Sequence, residues 1–472
     1  MTATSTTTAP AGEFDTRAIQ RMDSDHYLHP FTDFKALGET GARVMVRGDG
    51  IYLWDSDGKR LLDGMSGLWC VNVGYGRSSI ADAVHRQMLA LPFYNSFFGT
   101  TNAPAAQLAA KLVQLAPPGF NHVFYTGSGS EANDTNLRLV RRYWDLLGQP
   151  QRHTIISRHN AYHGSTVAGA SLGGMKDMHA QGGLPIPGIV HIGQPNYVAD
   201  GHGLSEHAFG LKAAGWLEQK ILELGADQVA AFIAEPVQGA GGVVIPPASY
   251  WPEIQRICDR YGILLIVDEV ITGFGRLGRW FASELFGIRP DLITFAKGVT
   301  SGYIPLGGVL VGDRVADVLI GQGGEFEHGF TYSGHPVACA AALENIRILE
   351  DERLVERVAE DTGPYLQQRF ATLAAHPLVG HVDSCGFVAG LNLVRVKGAH
   401  VHDNVLFEAS QGVGMICRAY MFNNGMIMRA VGERMIVAPP LVMSRAQIDE
   451  MVALIGVCLD LTLADLRQRG WV

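Results

Sequence analysis

One lysine of this chain directly follows a run of apolar residues. The run Leu292–Phe295 and one alanine precede Lys297, and a glycine-rich stretch begins at Gly298. An amine at the end of a buried strand loses solvation, which lowers its pKa and makes it nucleophilic toward aldehydes. A solvated surface lysine is the alternative. If the strand is buried, Lys297 is a candidate amine for an aldehyde cofactor.

Three carboxylates follow other apolar runs. Glu235 ends the run Val229–Ala234, and the pair Asp268 and Glu269 ends the run Ile263–Val267. A buried carboxylate is costly unless it meets a cation. A protonated pyridine nitrogen would serve Asp268 in this way, and so would an arginine in a structural ion pair. No metal site is expected from the adjacent pair, because neighbouring strand residues point to opposite faces.

A glycine-rich loop, Thr126-Gly-Ser-Gly-Ser130, precedes a helix that is predicted to begin near Glu131. Such a loop lets the backbone approach an anion, and the N–H groups of a helix N-terminus bind phosphate. The segment Gly127–Ala132 also fits a dinucleotide fingerprint, but no acidic residue follows the next predicted strand. The loop therefore predicts a phosphate site.

An aromatic residue follows the next predicted strand. Tyr162 and His163 come after the run Thr154–Ser157. The tyrosine ring could stack on a flat heterocycle, or both residues could belong to a packed loop. A phosphate loop, an aromatic ring, a carboxylate and a lysine are the parts that a protein supplies to hold pyridoxal phosphate as an electron sink.

The elements that must position these residues alternate between short apolar runs and helical patterns, from about residue 120 to 310. Most runs lack polar alternation, which predicts a mostly parallel sheet covered by helices on both faces. Ligands bind such sheets beyond the carboxyl ends of the strands. The predicted strands are His122–Tyr125, Thr154–Ser157, Ile189–Ile192, Val229–Ala234, Ile263–Val267 and Leu292–Phe295.

The flanking regions differ from this alternation. Tyr52–Leu62 predicts a hairpin with a turn at Asp55-Ser-Asp-Gly58. After about residue 345 the pattern predicts a smaller α+β unit. Its predicted elements are the amphipathic helices Leu343–Arg357 and Arg445–Arg469 and short strands near Gly386–Val394 and Met435–Ala438.

Composition favours a globular enzyme acting on small molecules. The 472 residues are 47% hydrophobic and carry a net charge of −9, which gives no electrostatic case for nucleic acid. No apolar run is long enough to span a membrane, and the N-terminus lacks the apolar core of a signal peptide. Six dispersed cysteines without a C-x-x-C pair suit a reducing cytoplasm. The first 14 residues are predicted to be a disordered tail.

From about Phe31 to its C-terminus, the chain resembles the class III (omega) aminotransferases, pyridoxal-phosphate enzymes of fold type I. The most specific segments are LLIVDEVITGFGRLG and FAKGVTSGYIPLGG, with support from YTGSGSEAND, RHNAYHGST, IAEPVQGAGG and HGFTYSGHP. The resemblance implies a large cofactor-binding domain, residues 76–345, with a mostly parallel seven-stranded sheet. Residues 15–75 would contribute to a small α+β domain completed by residues 346–472.

The resemblance also implies roles for matching residues. Lys297 would form the Schiff base and move the proton, and Asp268 would pair with the pyridine nitrogen. Thr331 would reach the phosphate from the neighbouring subunit of a homodimer, whose further pairing into a tetramer stays open. The residues implied in holding the cofactor are Gly129, Ser130, Tyr162, Glu235, Asp268, Val270, Lys297 and Thr331.

Two segments, LDGMSGLWCVNVGYGR and YNSFFGTTN, are similar to the subgroup that uses pyruvate as amino acceptor. Its donors include diamines, ω-amino acids and aryl-alkyl amines. The implied ping-pong reaction gives an aldehyde or ketone, then alanine, with pyridoxamine phosphate as the intermediate form. Arg429 matches a mobile arginine that binds the substrate carboxylate, although it could equally be a surface ion-pair residue. The other implied substrate-binding residues are Trp69, Phe97, Phe98 and Tyr162.

Three other interpretations compete. The nearest is another class III enzyme, with a different keto-acid acceptor or with aminomutase or decarboxylase activity. A nicotinamide-dependent dehydrogenase would explain the glycine patterns Gly127–Ala132 and Gly273–Gly278, but it leaves Lys297 without a role. An inactive cofactor-binding regulator is the third, and no segment resembles a DNA-reading module.

Overall fold

The computed structural model describes residues 14–472. The predicted tail, residues 1–14, lies outside the described residues except for Phe14. Two short helices, Thr16–His26 and Phe34–Thr40, open the described chain, and each begins after an aspartate whose side chain caps it. Within residues 14–472, no helix is both long enough and apolar enough to cross a membrane.

An antiparallel sheet follows, formed by β1 (Met45–Asp49), β2 (Tyr52–Asp55) and β3 (Arg60–Asp63). The predicted hairpin is confirmed. At its turn the Asp55 carboxylate accepts N–H bonds from residues 57 and 59. Gly58 has a φ of 80°, a left-handed conformation that glycine adopts without steric cost.

The centre of the chain forms a seven-stranded sheet in the order β4-β10-β9-β8-β7-β5-β6. The pairs β5–β6, β5–β7, β7–β8 and β8–β9 are parallel, and β10 is antiparallel to both its neighbours. The sheet is therefore mostly parallel, as predicted. The strands are β4 (Phe120–Thr126), β5 (Thr154–Arg158), β6 (Ile189–Ile192), β7 (Val229–Ala234), β8 (Leu264–Asp268), β9 (Leu292–Phe295) and β10 (Gly307–Gly312).

Strand β10 is the one member of this sheet that none of the predicted runs covers. Its glycines suggest a loop when only the sequence is considered. In the structure they are needed because neighbouring strands pack closely against the backbone of β10. A Cβ added at Gly308 would lie 2.6 Å from the Phe124 carbonyl oxygen and 2.6 Å from the Phe295 ring. The close approach of neighbouring strands explains glycine within a central strand.

Helices cover both faces of this sheet. Alternate residues of β7 and β8 point to opposite sides: Ile233 and Ile266 pack beneath the helix Gly129–Leu146, while Phe232 and Leu265 pack beneath the helices Glu206–Leu224 and Tyr250–Tyr261. The remaining helices of this region are Ser78–Ala90, Ala103–Leu115, Val167–Leu172, Lys176–Ala180, Tyr197–Asp200, Ala282–Leu285, Asp313–Gln322 and Pro336–Asp351.

The C-terminal region forms an antiparallel sheet in the order β11-β12-β15-β14. Strand β13 instead joins the N-terminal sheet, parallel to β3. Sequence-distant ends of the chain thus share one sheet, while the boundaries near residues 75 and 345 stay predictions. The strands are β11 (Val379–Cys385), β12 (Val388–Leu393), β13 (Met426–Ile427), β14 (Arg429–Val431) and β15 (Arg434–Val437), and the α-helices are Leu354–Arg357, Gly363–Ala371, Val413–Asn423 and Arg445–Gln468.

One predicted helix has different bounds. The segment Leu343–Arg357 is not continuous: the helix Pro336–Asp351 ends before Arg353, whose φ of 50° is left-handed, and a short helix follows. The first helix also begins earlier than predicted, because Pro336 occupies its first turn and the His335 side chain caps it.

Candidate active site

A cavity of about 340 Å³ opens at the carboxyl edge of the seven-stranded sheet. It is lined by residues that follow β4, β5, β7, β8 and β9, which is where a mostly parallel sheet binds its ligand. The structure brings together seven of the predicted site residues, namely Gly129, Ser130, Tyr162, Glu235, Asp268, Val270 and Lys297.

Lys297 follows β9 and begins a short 3₁₀ turn, Lys297–Val299. Its φ of 46° is left-handed, a costly conformation for a lysine that surrounding contacts must impose. Burial lowers the pKa of Lys297, and the nearby Cys70, Asp268 and Glu235 offset this in part. The amine is therefore a stronger nucleophile near neutral pH than a solvated lysine.

Asp268 ends β8 with a side chain that is only 3% exposed. Its Oδ2 accepts bonds from Asn133 Nδ2 (2.9 Å) and from His163 Nδ1 (2.7 Å), and its Oδ1 accepts the Val270 N–H (3.1 Å). These donors fix the carboxylate at the cavity wall. Within residues 14–472 it has no arginine partner, so the alternative of a structural arginine ion pair is wrong.

A buried network of neutral side chains holds Asn133 in turn. Its Oδ1 accepts bonds from Asn136 Nδ2 (3.0 Å) and Thr294 Oγ1 (2.9 Å), and its Nδ2 also donates to the His163 carbonyl (2.8 Å). All of these side chains are buried. The helix Gly129–Leu146 and strand β9 thereby fix the donor that orients Asp268.

Glu235 fastens the aromatic loop to the end of β7. Its carboxylate accepts the N–H groups of Tyr162 (3.2 Å) and Gly239 (2.9 Å). Burial raises the pKa of Glu235, an effect that neighbouring His163 opposes and the Asp268 charge reinforces. Glu235 thus positions the loop that carries Tyr162.

Glu269 points away from the cavity, as the strand geometry predicts. It accepts bonds from Thr272 Oγ1 (2.5 Å) and from the N–H groups of Ala282 (3.0 Å) and Ser283 (2.6 Å). Burial raises the pKa of Glu269 to about 7. Across residues 14–472, no cluster of metal-ligating side chains is present.

The glycine-rich loop and the helix after it form an anion cradle. Ser128 caps the helix by accepting the Glu131 N–H (3.2 Å). Gly129 and Ser130 occupy the first turn, whose N–H groups have no acceptor within a helix. A Cβ at Gly129 would lie 2.9 Å from the Val270 side chain, so only glycine lets the two approach. This cradle fits the phosphate of pyridoxal phosphate.

Trp69 does not line the cavity. Its side chain is 2% exposed and packs in a core cluster with Met65 and Ile271. Its left-handed backbone (φ 66°) turns the ring inward, and the flanking Leu68 and Cys70 line the cavity instead. A backbone conformation of this kind cannot be deduced from residue spacing.

Three other predicted residues lie outside the cavity of their own chain. Phe98 is 95% exposed, Phe97 lies beside Gly329, and Thr331 is exposed. The exposed rings belong to a wider apolar surface that includes Phe93 and Tyr332, whose centroids are 5.6 Å apart.

Arg429 lies on β14, partly buried and outside the cavity lining. Burial lowers its pKa, as does neighbouring Arg418. Within the described chain no carboxylate lies at ion-pair distance from Arg429. The surface ion-pair alternative is therefore not what the structure contains.

Sequence reasoning missed the supporting residues of the site. The pairing of His163 with Asp268 is one, and Asn133 with Asn136 is another. The two asparagines were detectable in principle, because polar residues three apart on an apolar helix face must find buried partners. The pairing of His163 with Asp268 gave no such signal, because the two residues follow strands that are far apart in the sequence.

Known proteins resemble this chain along most of its length. A family model described as Aminotransferase class-III matches residues 36–459. A putrescine–pyruvate aminotransferase from Pseudomonas aeruginosa is 57% identical over 95% of this chain and 97% of its own. An (S)-enantioselective omega-transaminase from Thermomicrobium roseum has a TM-score of 0.92 at 42% identity, over 95% of this chain and 99% of its own. A Pseudomonas jessenii omega-transaminase in complex with PMP has a TM-score of 0.91 at 40% identity, over 94% and 98%.

These similarities, together with one turn of the structure, decide against the dehydrogenase interpretation. The glycine pattern Gly273–Gly278 is a turn rather than a strand-to-helix loop, with left-handed residues at Phe274 and Gly275. The dehydrogenase interpretation therefore has no structural support. A family model over most of the chain agrees with the residues that line the cavity: the chain belongs to the class III aminotransferases and has their pyridoxal-phosphate-dependent transferase fold.

Proposed function

We propose that this protein transfers an amino group from a small primary amine, with putrescine or a related diamine as first choice, to pyruvate. The products are the matching amino-aldehyde and alanine. The similarity to a putrescine–pyruvate aminotransferase over nearly the whole chain supports this donor and acceptor. The observation that carries the proposal is the placement of Lys297 in the same cavity as Asp268 and the anion cradle.

Lys297 is the residue that we assign to bond formation and proton transfer. When bound, pyridoxal phosphate supplies an aldehyde that captures amines and a ring that accepts electrons as a proton leaves the substrate carbon. Lys297 Nζ would take up that proton and deliver it to the cofactor carbon that carried the aldehyde, which requires an amine that is not permanently charged. The lowered pKa of Lys297 provides this property.

The other cavity residues orient and tune the cofactor in this proposal. Asp268 presents its carboxylate to the pyridine nitrogen and favours its protonated form. Tyr162 and Val270 would pack against the ring, and Glu235 holds the tyrosine loop by accepting the Tyr162 N–H. Gly129 and Ser130 bind the phosphate at the helix N-terminus.

The donor side of the cavity is mostly apolar. Leu68, Cys70, Ile271 and Ile304 contribute to its lining. The carboxylates there are already assigned to the cofactor and the tyrosine loop. An alkyl amine suits this surface, and we propose that Arg429 binds the carboxylate of pyruvate from its place beside the cavity.

We propose that the protein acts as a homodimer with shared active sites. The apolar surface around Phe93, Phe98 and Tyr332 is more exposed than a monomer requires. Thr331 lies on this surface, outside its own cavity, and would reach the phosphate of the other protomer. Mixing inactive Lys297→Ala and Thr331→Arg chains should restore activity in hybrids, because one of the two shared sites then has both native residues.

We also propose a cytoplasmic location. All six cysteines are free, and four of them are buried. Cysteines that form no disulfide bond are typical of proteins in a reducing compartment. Measuring the compartment with a fluorescent fusion and cell fractionation tests this placement.

An amine panel with pyruvate tests the proposed reaction. The purified, cofactor-loaded protein is given putrescine, β-alanine, taurine or either enantiomer of 1-phenylethylamine, and alanine is quantified. We expect putrescine to be the best donor and the (S)-amine to exceed the (R)-amine. No alanine from any donor, despite bound cofactor, would contradict the proposal.

A different keto-acid acceptor is the second candidate. A diaminobutyrate–2-oxoglutarate transaminase from Halomonas elongata is 46% identical over 89% of this chain and 90% of its own. Replacing pyruvate with 2-oxoglutarate and quantifying glutamate separates the two acceptors. A higher kcat/KM for 2-oxoglutarate would move the assignment to that acceptor.

A further inference from the structure

The wall segment, defined here as residues 63–72, connects β3 with the cavity. It carries Leu68 and Cys70 to the cavity lining. Residues other than glycine adopt left-handed backbone only where surrounding contacts impose it. The left-handed residues in this segment are Ser66 (φ 50°), Gly67 (φ 65°) and Trp69 (φ 66°).

Arg276 contacts this segment with a side chain that is fully buried. Its Nη2 donates to Asn72 Oδ1 (2.7 Å) and to Ser66 Oγ (3.2 Å). Its Nη1 donates to the carbonyls of Phe387 (3.4 Å) and Pro439. One guanidinium thus joins the wall segment to two strand ends of the C-terminal sheet.

Asn72 completes the connection from the other side. Its side-chain Nδ2 donates to the Phe274 carbonyl (2.9 Å), and its backbone carbonyl accepts the Leu441 N–H (2.8 Å). The side-chain amide of Asn72 therefore bonds to the loop 274–276 twice: its Nδ2 donates to Phe274, and its Oδ1 accepts from Arg276. A residue with only one of these functions cannot replace it.

The same asparagine lies against the turn that carries the lysine. A Cβ at Gly298 would lie 2.7 Å from Asn72 Nδ2, so the amide packs directly on the residue after Lys297. Val73, which follows Asn72, donates its N–H to Ser301 Oγ (3.2 Å). The wall segment and the lysine turn are therefore fixed to each other.

We propose that Arg276 and Asn72 are positioning residues that hold Leu68 and Cys70 against the substrate and so determine which amines the protein accepts. This inference rests on the proposed amine transfer and deepens it. Neither residue lines the cavity, so neither contacts the reacting atoms. Without them the wall segment loses the bonds that fix it at Ser66 and at Asn72, and the cavity wall becomes mobile.

Arg434 offers a matched control. It is also a mostly buried arginine that joins the C-terminal sheet to the large sheet's loops, by donating to the carbonyls of Gly242 and Val243. Its remaining partners are Asp383 and Asn392. None of these residues lines the cavity. Replacing Arg434 therefore removes a comparable connection without touching the wall segment.

The test compares Arg276→Met, Asn72→Ala and Arg434→Met with the wild type in putrescine–pyruvate transfer. For the first two we expect KM for putrescine to rise about tenfold while kcat changes less than about threefold. Relative activity toward bulky 1-phenylethylamine should rise. Arg276→Lys, which keeps a buried donor, should recover part of the loss. Arg434→Met should lower the unfolding temperature and leave KM unchanged.

Cys70 supplies a second measurement that does not depend on turnover. In a Cys385→Ser background, the other four cysteines are buried, so a thiol reagent reports on Cys70. Its labelling rate should rise at least about threefold in Arg276→Met, because local opening exposes the wall segment. Asn72→Ala serves the same comparison if Arg276→Met does not fold.

The outcomes separate this inference from the proposed function. An unchanged KM and labelling rate in the folded variants, or an equal rise in Arg434→Met, would overturn the positioning role. If the wild type makes no alanine, the proposed function fails, and the labelling rates alone decide whether Arg276 and Asn72 hold the wall segment.

Discussion

The two edges of the seven-stranded sheet contain cavities of similar size that differ in how their charged residues are paired. At the carboxyl edge the cavity is about 340 Å³, and at the amino edge it is about 360 Å³. Both contain a charged residue beside β9, with Lys297 after the strand at one edge and Asp291 before it at the other. Volume therefore does not distinguish the candidate active site from a structural cleft.

The difference lies in how the charges are compensated. At the amino edge, Arg314 lies 3.3 Å from Asp291 and Arg289 lies 2.7 Å from Asp259. At the carboxyl edge, Lys297 has no carboxylate at ion-pair distance within residues 14–472, and Asp268 is held by neutral or weakly basic donors. Charges left without a full partner are available to a ligand, and that is the property a functional site requires.

The largest expected effect is that of Lys297→Ala. Removing the amine should lower alanine formation from putrescine and pyruvate by at least about 10³-fold, because the proton transfer has no other carrier. Arg314→Met, the matched change at the amino edge, should leave kcat/KM within about twofold. More than a tenth of wild-type activity in Lys297→Ala would mean that the carboxyl-edge lysine is not the proton carrier.

Asp268→Asn should have the next largest effect. A neutral amide does not favour a protonated ring nitrogen, so kcat should fall by about 10²-fold or more while bound cofactor is largely retained. Absorbance measures the bound cofactor, and alanine formation measures kcat. Asp291→Asn is the amino-edge control, and an equal fall in that variant would erase the distinction between the edges.

His163→Leu sharpens the comparison on a smaller scale. It removes the Nδ1 donor that lies 2.7 Å from Asp268 Oδ2, so the carboxylate loses one of its three donors. We expect kcat to fall about tenfold, the effect of one hydrogen bond to a charged group. His163→Asn places an amide donor near the same position and should recover part of kcat. Equal kcat in the leucine variant would show that the histidine only packs.

The pH dependence of cofactor capture tests the electrostatics of the carboxyl edge. The pKa of Lys297 is lowered by burial, so the fraction of free amine should rise with pH through a midpoint below the ordinary lysine value of 10.5. The rate at which cofactor-free protein captures pyridoxal phosphate should follow that fraction. A midpoint at or above 10.5 would mean that the lysine is solvated.

The smallest expected effect is the loss of stability when an ion pair at the amino edge is broken. Arg314→Met breaks a pair in which the arginine side chain is 42% exposed. Because Asp291 is only 13% exposed, removing its partner should cost about 1–2 kcal/mol of the free energy of unfolding, between the values for exposed and for buried pairs. Urea denaturation should show this small loss, and a loss above about 3 kcal/mol would indicate a buried pair of a different kind.

Much of the site was predictable because it follows from strand ends. Lys297, Asp268 and Glu235 each follow an apolar run, and parallel strands bring such positions to one edge. Three of the predicted strands, Ile189–Ile192, Val229–Ala234 and Leu292–Phe295, match the structure residue for residue. These features depend on local periodicity and on a general rule of sheet topology.

The rest depends on information that residue spacing does not contain. Strand β10 was missed because its glycines serve close strand packing, which resembles a loop in sequence. Trp69 was expected at the cavity, but a left-handed backbone turns it into the core. The contacts of Arg276 join segments more than 100 residues apart along the chain, so only the fold brings them together.

The most direct test of the account locates the cofactor on the chain. The protein is loaded with pyridoxal phosphate, reduced with borohydride, digested and mapped by mass spectrometry. We predict the added pyridoxyl group on the peptide that contains Lys297, in an amount that matches the bound cofactor. Labelling of another lysine in place of Lys297, or reduced protein without a covalent adduct, would contradict the central claim.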